Sequence, residues 1–403
     1  MYPRSTVLSL AFALVMAAVM PAQASSGEMN CDGATNGLDV APFVLAVLDP
    51  SGYEAAYPDC GIGRADFDCD GNAEPDDVPG FVNCLLAGDC PVCPPQGMVM
   101  VAVGEYVMGD LRHEGGADEL PVHLVSISPF YLDICEVTLQ QYADGLNWAL
   151  GQGGLITVTN GVVYPAGSGT SYPLCDTTES FTFGWITWNG STFGVYAGKG
   201  NFPMMMVSWY GAAAYCNWRS AMDGREPCFN LSTWQCDFTK NGYRLPTEAE
   251  WEKAAGWDPV LSWHFRFGEH TDGCGTACLD GHRANYGSSG DPFENGAIPF
   301  STPVGYYDGS NHDGYQTQDA RSYYGCRDMS GNVWEWCYDW YAATYYATSP
   351  ASDPTGPTSG TTRVQRGGSW FRPADGSRSA IRNQHAPGDR NPNDGFRCVC
   401  TGL

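Results

Sequence analysis

Between residues 98 and 340 the spacing of apolar positions changes period several times, and each change predicts an element. From Met98 to Met108 apolar and small residues alternate, a period of two that predicts a strand closed by a turn at Gly109-Asp110. Pro121 to Ile134 predicts a second strand region. Glu136 to Trp148 shifts to helical spacing, with Thr138 as N-cap accepting from free amides of the first turn. Gly151 to Gly200 is rich in Gly, Thr and Ser around short β-favouring runs and predicts hairpins in an insertion. Ser208 to Ser220 and Tyr243 to Ala255 predict two more helices, the latter with Thr247 and Glu250 at capping-box spacing. Beyond Gly256 the helix signal fades. In Arg327–Trp340, Trp334 and Trp336 share one face of an extended strand, and Val333 and Glu335 share the other. Two indoles on one face mark a buried strand. The expected class is α+β: one domain over 98–403 of short strands, a few helices and much irregular loop.

Upstream of Met98 the pattern differs. Arg4, an apolar run from Val7 to Met20 and then Ala22-Gln23-Ala24 predict a signal peptide over 1–24 and an exported product, secreted, periplasmic or at the cell surface. The run is too short to span a bilayer, and no other stretch is long and apolar enough. Residues 25–90 carry an internal repeat offset by 38 positions. Each copy places oxygen-bearing side chains at loop positions 1, 3, 5, 9 and 12, with glycine at 6. These are Glu28, Asn30, Asp32, Asn36 and Asp39 in the first copy, and Asp66, Asp68, Asp70, Glu74 and Asp77 in the second. The spacing matches an EF-hand calcium loop, whose glycine permits the sharp turn. Each loop leads into one helical-looking apolar segment, Val40 to Leu48 or Val78 to Leu86, with Phe43 matching Phe81. With Asp at position 12, this all-α layout resembles dockerin modules, which implies calcium binding and a docking partner. A module this small needs calcium and disulfides to supply its order. Residues 91–97, rich in proline, predict a linker.

Charge and cysteine narrow the partners. The net charge is −25, and Glu28 to Cys93 alone holds 13 acidic residues against Arg64. Nucleic acid and anionic membrane both need cationic patches, so neither is expected. All 17 cysteines follow the signal segment, and in an exported protein most are expected in disulfides, with at least one left over. The seven histidines (113, 123, 264, 270, 282, 312 and 385) show no HxxxH or HxH pair to hold iron, and no nucleophile-elbow motif supports a Ser/His/Asp hydrolase.

Six stretches then occur in order: Phe130…Glu136-Val-Thr, Val207-Ser-Trp…Ala214-Tyr-Cys-Asn-Trp218, Arg244-Leu-Pro-Thr-Glu-Ala-Glu-Trp251, Asp328-Met-Ser-Gly-Asn-Val-Trp-Glu-Trp336, Arg366-Gly-Gly-Ser-Trp370 and Gly395-Phe-Arg-Cys398. Together they resemble the formylglycine-generating enzyme, or sulfatase-modifying factor, family. The resemblance implies a variant of the C-type lectin fold and two calcium sites. One would use the side chains of Asn285 and Asp291 with the carbonyls of Tyr286 and Phe293. The other would use Asp328, the carbonyls of Gly331 and Val333, and Glu335. Active family members oxidise a sulfatase cysteine to formylglycine with copper on two cysteines, because soft thiolates suit Cu(I). The family spacing puts Arg372 and Ser377 at those positions, so copper is not expected. Cys398 and Cys400, close in sequence, are expected in disulfides. Ser369 corresponds to a residue at the family's substrate groove, and Arg372 there favours an anionic or carbonyl-bearing ligand. Two function classes follow. One is a calcium-binding, non-oxidising member whose groove, with Ser369, Arg372 and Ser377, takes a protein, peptide or glycan. The alternative is a formylglycine-generating or related metal-dependent oxidase using other ligands.

Overall fold

The computed structural model describes residues 29–31, 34–58, 60, 62–65, 73–87, 94–259, 263–264, 279–296 and 298–401. The signal segment and the expected ligands Glu28, Asp32, Asp66, Asp68 and Asp70 lie outside the described residues. The chain divides into two compact units between Cys93 and Pro94.

In the first unit both repeat segments are helices, α1 (Val40–Leu48) and α3 (Val78–Ala87). A further helix, α2 (Pro50–Ala56), starts at Asp49, whose carboxylate accepts from the Gly52 amide at 3.1 Å, with Pro50 at the first helical position. The repeat-matched Phe43 and Phe81 stack with centroids 4.0 Å apart, inside a small core with Met29, Ala46 and Tyr53. Cys31 and Cys60 form a disulfide, and Cys84 is also disulfide-bonded.

The second unit mixes helix and short strands. The expected first strand is two, Met98–Val101 and Gly104–Met108, and the second is likewise His123–Ile127 and Phe130–Asp133. Met98–Val101, Phe130–Asp133, Val399–Cys400 and Tyr243–Arg244 form one sheet in that order. Helices α4 (Leu139–Gly151), α5 (Trp209–Met222) and α6 (Glu248–Gly256) begin at Thr138, Ser208 and Thr247, each accepting from an amide of its first turn. Helix α6 starts later than its sequence suggested. Tyr243 and Arg244 are ladder residues, and Pro246 keeps Leu245 out of the helical region. In the insertion, Ile156–Thr159 and Val162–Pro165 pair across Asn160-Gly161, both at positive φ as a tight hairpin turn requires.

A second four-stranded sheet runs Asn383–His385, Arg363–Arg366, Trp334–Trp340, Asp394–Gly395. The tryptophan strand lies inside it, antiparallel to one neighbour and parallel to the other, and residues 333–337 are all buried. Trp336 enters the large core beside Trp209, Tyr142 and Phe396, and its indole donates to the Val207 carbonyl at 3.0 Å.

Candidate functional site

The tryptophan strand and its neighbour carry the site. Arg366, fully buried, is held by Glu252 and Glu248 of α6, and Arg382 makes a bidentate pair with Glu248 at 2.6 and 2.8 Å. Breaking such a buried pair from one side costs about 3–5 kcal/mol, so the strand end is rigidly placed. From there Gly367 and Gly368 turn at φ of +94° and +81°. A Cβ on Gly368 would stand 2.4 Å from Ser377 Oγ and 2.6 Å from the Gly376 carbonyl, so only glycine lets the turn lie on the 374–377 segment. Ser369 follows, buried, its Oγ accepting from Asn393 Nδ2 at 3.2 Å.

This turn borders a groove of about 410 Å³ walled by Trp334, Trp370 and Phe371, with Arg372, His385 and Asn393 among its polar lining. Arg372 is exposed at the groove, whereas Ser377 is fully buried with its Oγ unpartnered. The three expected groove residues therefore separate: Arg372 lines the groove, while Ser369 and Ser377 are buried and do not line it. A larger cavity of about 560 Å³ opens between α4, α5 and the insertion, lined by Trp148, Tyr172 and Trp218. No charged side chain lines it, whereas Arg372 and His385 line the groove.

Sequence reasoning missed the most organised polar group here. His385 Nδ1 lies 3.1 Å from Asp394 Oδ2, and Asn391 Nδ2 is 2.7 Å from both. Asp394 is fully buried and its Oδ1 has no partner. The hydrogen bond to Asp394 raises the His385 pKa above its ordinary value, against burial and the Arg372 charge. A search for closely spaced histidines passes over this pair, because residues 386–393 intervene between its members. The one available signal was an acid directly before the Gly395-Phe-Arg motif.

The expected calcium residues behave unequally. Asn285 is buried, donates from Nδ2 to the Phe300 carbonyl at 2.7 Å, and leaves Oδ1 unpartnered. Asp291 is buried, accepts from the Phe293 amide at 2.7 Å and from Ser289 Oγ at 2.7 Å, and burial raises its pKa. The Tyr286 and Phe293 carbonyls each accept one amide, at 3.0 and 3.1 Å, and keep a lone pair. These four fit a hard cation's oxygen shell.

The second set does not fit as the resemblance implies. Glu335 gives both carboxylate oxygens to Arg397, at 2.6 Å each, and also accepts from the Trp251 indole at 2.8 Å. A guanidinium thus already neutralises Glu335. Asp328, at φ +57°, accepts from the Gly305 amide and faces Glu136; burial raises the pKa of both carboxyls. Gly331 belongs to the same turn, where a Cβ would come 2.0 Å from the Asn285 carbonyl, and Val333 packs on Trp370.

In the first unit, Asp39 accepts from the amides of Met29, Asn30 and Asn36 at 2.6–3.0 Å, and Asn36 Oδ1 accepts from Leu38 at 2.8 Å. Asp77 accepts from the Glu74 amide at 2.9 Å. These side chains brace their own loops. Among the described residues no three His, Cys, Asp or Glu gather closely enough to hold a metal ion.

The expected disulfides of Cys398 and Cys400 are absent. Both are buried thiols, Cys398 Sγ lying 3.6 Å from Cys216 Sγ and Cys400 Sγ 3.8 Å from Met98 Sδ. Nine cysteines among the described residues are free, so the expectation that most are paired is not met there.

Residues 86–401 match the family model of the sulfatase-modifying factor enzyme 1-like domain. The chain belongs to this family. It is similar to the formylglycine-generating enzyme of Streptomyces coelicolor, 31% identical over 331 residues that cover 75% of this chain and 89% of that one. It is also similar to the serine/threonine-protein kinase pkn1 of Chlamydia pneumoniae, 31% identical over 309 residues; these cover 75% of this chain, which spans only 37% of the kinase. Among solved structures, Treponema denticola variable protein 1 superposes with a TM-score of 0.48 at 27% identity, covering 76% of this chain and 95% of that one. In this sulfatase-modifying factor domain none of the residues lining the groove is a cysteine. No helix among the described residues is long and apolar enough to cross a membrane.

Proposed function

We propose that this chain is an exported, calcium-stabilised member of the sulfatase-modifying factor family that binds a ligand in its groove and does not oxidise it. The observation that carries this reading is the pair Arg372 and Ser377. At the positions where the resemblance calls for two copper thiolates stand an exposed guanidinium and a buried hydroxyl. A guanidinium repels a cation and cannot ligate it, and a serine oxygen is too hard for Cu(I). Calcium at Asn285, Tyr286, Asp291 and Phe293 would complete the orphaned Asn285 Oδ1 and neutralise Asp291.

The N-terminal unit is proposed as a docking module. Val40, Val44 and Leu48 on α1 and their repeat-matched Val78, Val82 and Leu86 on α3 are exposed, at 75% for Leu48 and 82% for Leu86. Two equivalent apolar stripes on a small unit with a strong acidic excess suit a protein partner with an apolar, basic-rimmed surface. Export rests on the signal-like segment over 1–24.

Metal analysis of the purified protein tests the central part. Calcium is expected in stoichiometric amount and copper at trace level after reconstitution with Cu(I). One copper per chain would overturn the reading.

A further inference from the structure

We propose that the groove clamps a carboxylate of an acidic peptide between Arg372 and the imidazolium of His385. The inference rests on the ligand-binding reading above and names the ligand class.

Among the described residues Arg372 is the arginine whose guanidinium has no hydrogen-bond or ion-pair partner. The other described arginines meet carboxylates, carbonyls or further groups of the protein. Being exposed, the Arg372 guanidinium is open to an anion from outside the chain. It lines the same groove as His385, close enough for its charge to act on the ring. His385 in turn is fixed through Nδ1, which as an imidazolium donates to the Asp394 carboxylate that Asn391 also holds, and its side chain is 30% exposed. An imidazolium paired with Asp394 is neutral overall, so Arg372 is the uncompensated charge among the residues that line the groove. Loss of the His385 proton exposes the Asp394 charge and cancels that of Arg372. The charged groups acting on the ring are Asp394 and Asp389, which favour the proton, and Arg372, which opposes it. Anion affinity therefore falls as pH rises through the His385 pKa.

A peptide is favoured by the remaining lining. Asn383 donates to Gln365 at 2.9 Å, Asn391 to Asp394 and Asn393 to Ser369, and among the described residues the side-chain oxygens of all three accept nothing. Three free amide oxygens along a groove suit the backbone N–H groups of an extended chain. Phe371 and Ile298, exposed at 67% and 51%, add an apolar rim for neighbouring side chains.

The test uses the full-length protein and calorimetric titration with an acetylated, amidated peptide of alternating phenylalanine and glutamate. Its glutamine counterpart and an oligogalacturonate of equal charge serve as comparators. The glutamate peptide is expected to bind best at pH 5.5 and roughly tenfold more weakly at pH 8.5, the loss of about one charge-assisted contact. Arg372→Gln should weaken binding about tenfold at both pH values, and His385→Gln should leave weak, pH-independent binding. Equal binding of the glutamine peptide, an unchanged Arg372→Gln variant, or pH-independent binding by the unaltered protein would overturn the clamp. Preference for the oligogalacturonate would overturn the peptide assignment. Failure here without copper or oxidation leaves the ligand-binding reading standing, whereas bound copper overturns that reading itself.

Discussion

At the scale of single residues, a carboxylate's role depends on what its oxygens already hold. Glu335 stands where the resemblance implies a calcium ligand, yet Arg397 and Trp251 donate to both of its oxygens. Glu335→Ala should therefore cost about 3–5 kcal/mol by leaving a buried guanidinium unpaired. The loss should be the same in calcium and in chelator. Denaturant titration in both buffers checks this, and a loss seen only with calcium would restore Glu335 as a ligand. Asn285 is the opposite case, a buried amide oxygen with nothing to accept from. Calcium should raise the thermal midpoint because it binds the folded chain and not the unfolded one. In Asn285→Leu that rise should shrink sharply, read by scanning calorimetry with and without chelator; an undiminished rise would remove this site.

At the scale of elements, most of the fold was legible. Thr138 and Thr247 announced their helices because a cap acts locally; Ser208 to Ser220 predicts a helix from sequence, and the structure adds Ser208 as its cap. Tyr243 and Arg244 were misread because their strand exists only through Val399 and Cys400, far away in sequence. The site was half legible for the same reason. The glycine pair and Arg372 are contiguous, but His385 joins Asp394 only through folding. Cysteine pairing was misjudged because composition speaks to compartment and not to geometry. The repeat helices were legible, and their exposed faces make a prediction. Leu48→Lys with Leu86→Lys should change unfolding free energy by no more than about 0.5 kcal/mol, as for surface sites, when followed by denaturant titration of the whole chain. A loss of about 2 kcal/mol or more would mean that the stripes are packed within the folded chain and not free to dock a partner.

At the scale of the whole molecule, family membership fixes a scaffold, and a few side chains decide its chemistry. The buried Arg366, Glu248 and Glu252 cluster and the Gly367-Gly368 turn keep the groove's frame. Arg372 and His385 line it. The central claim is that this frame binds and does not oxidise. The most direct measurement incubates the purified protein with Cu(I), oxygen and a cysteine peptide bearing a sulfatase-type motif, then seeks the aldehyde by mass spectrometry. The account predicts unmodified cysteine throughout. Accumulation of the formylglycine peptide, abolished by chelating the metal, would contradict it.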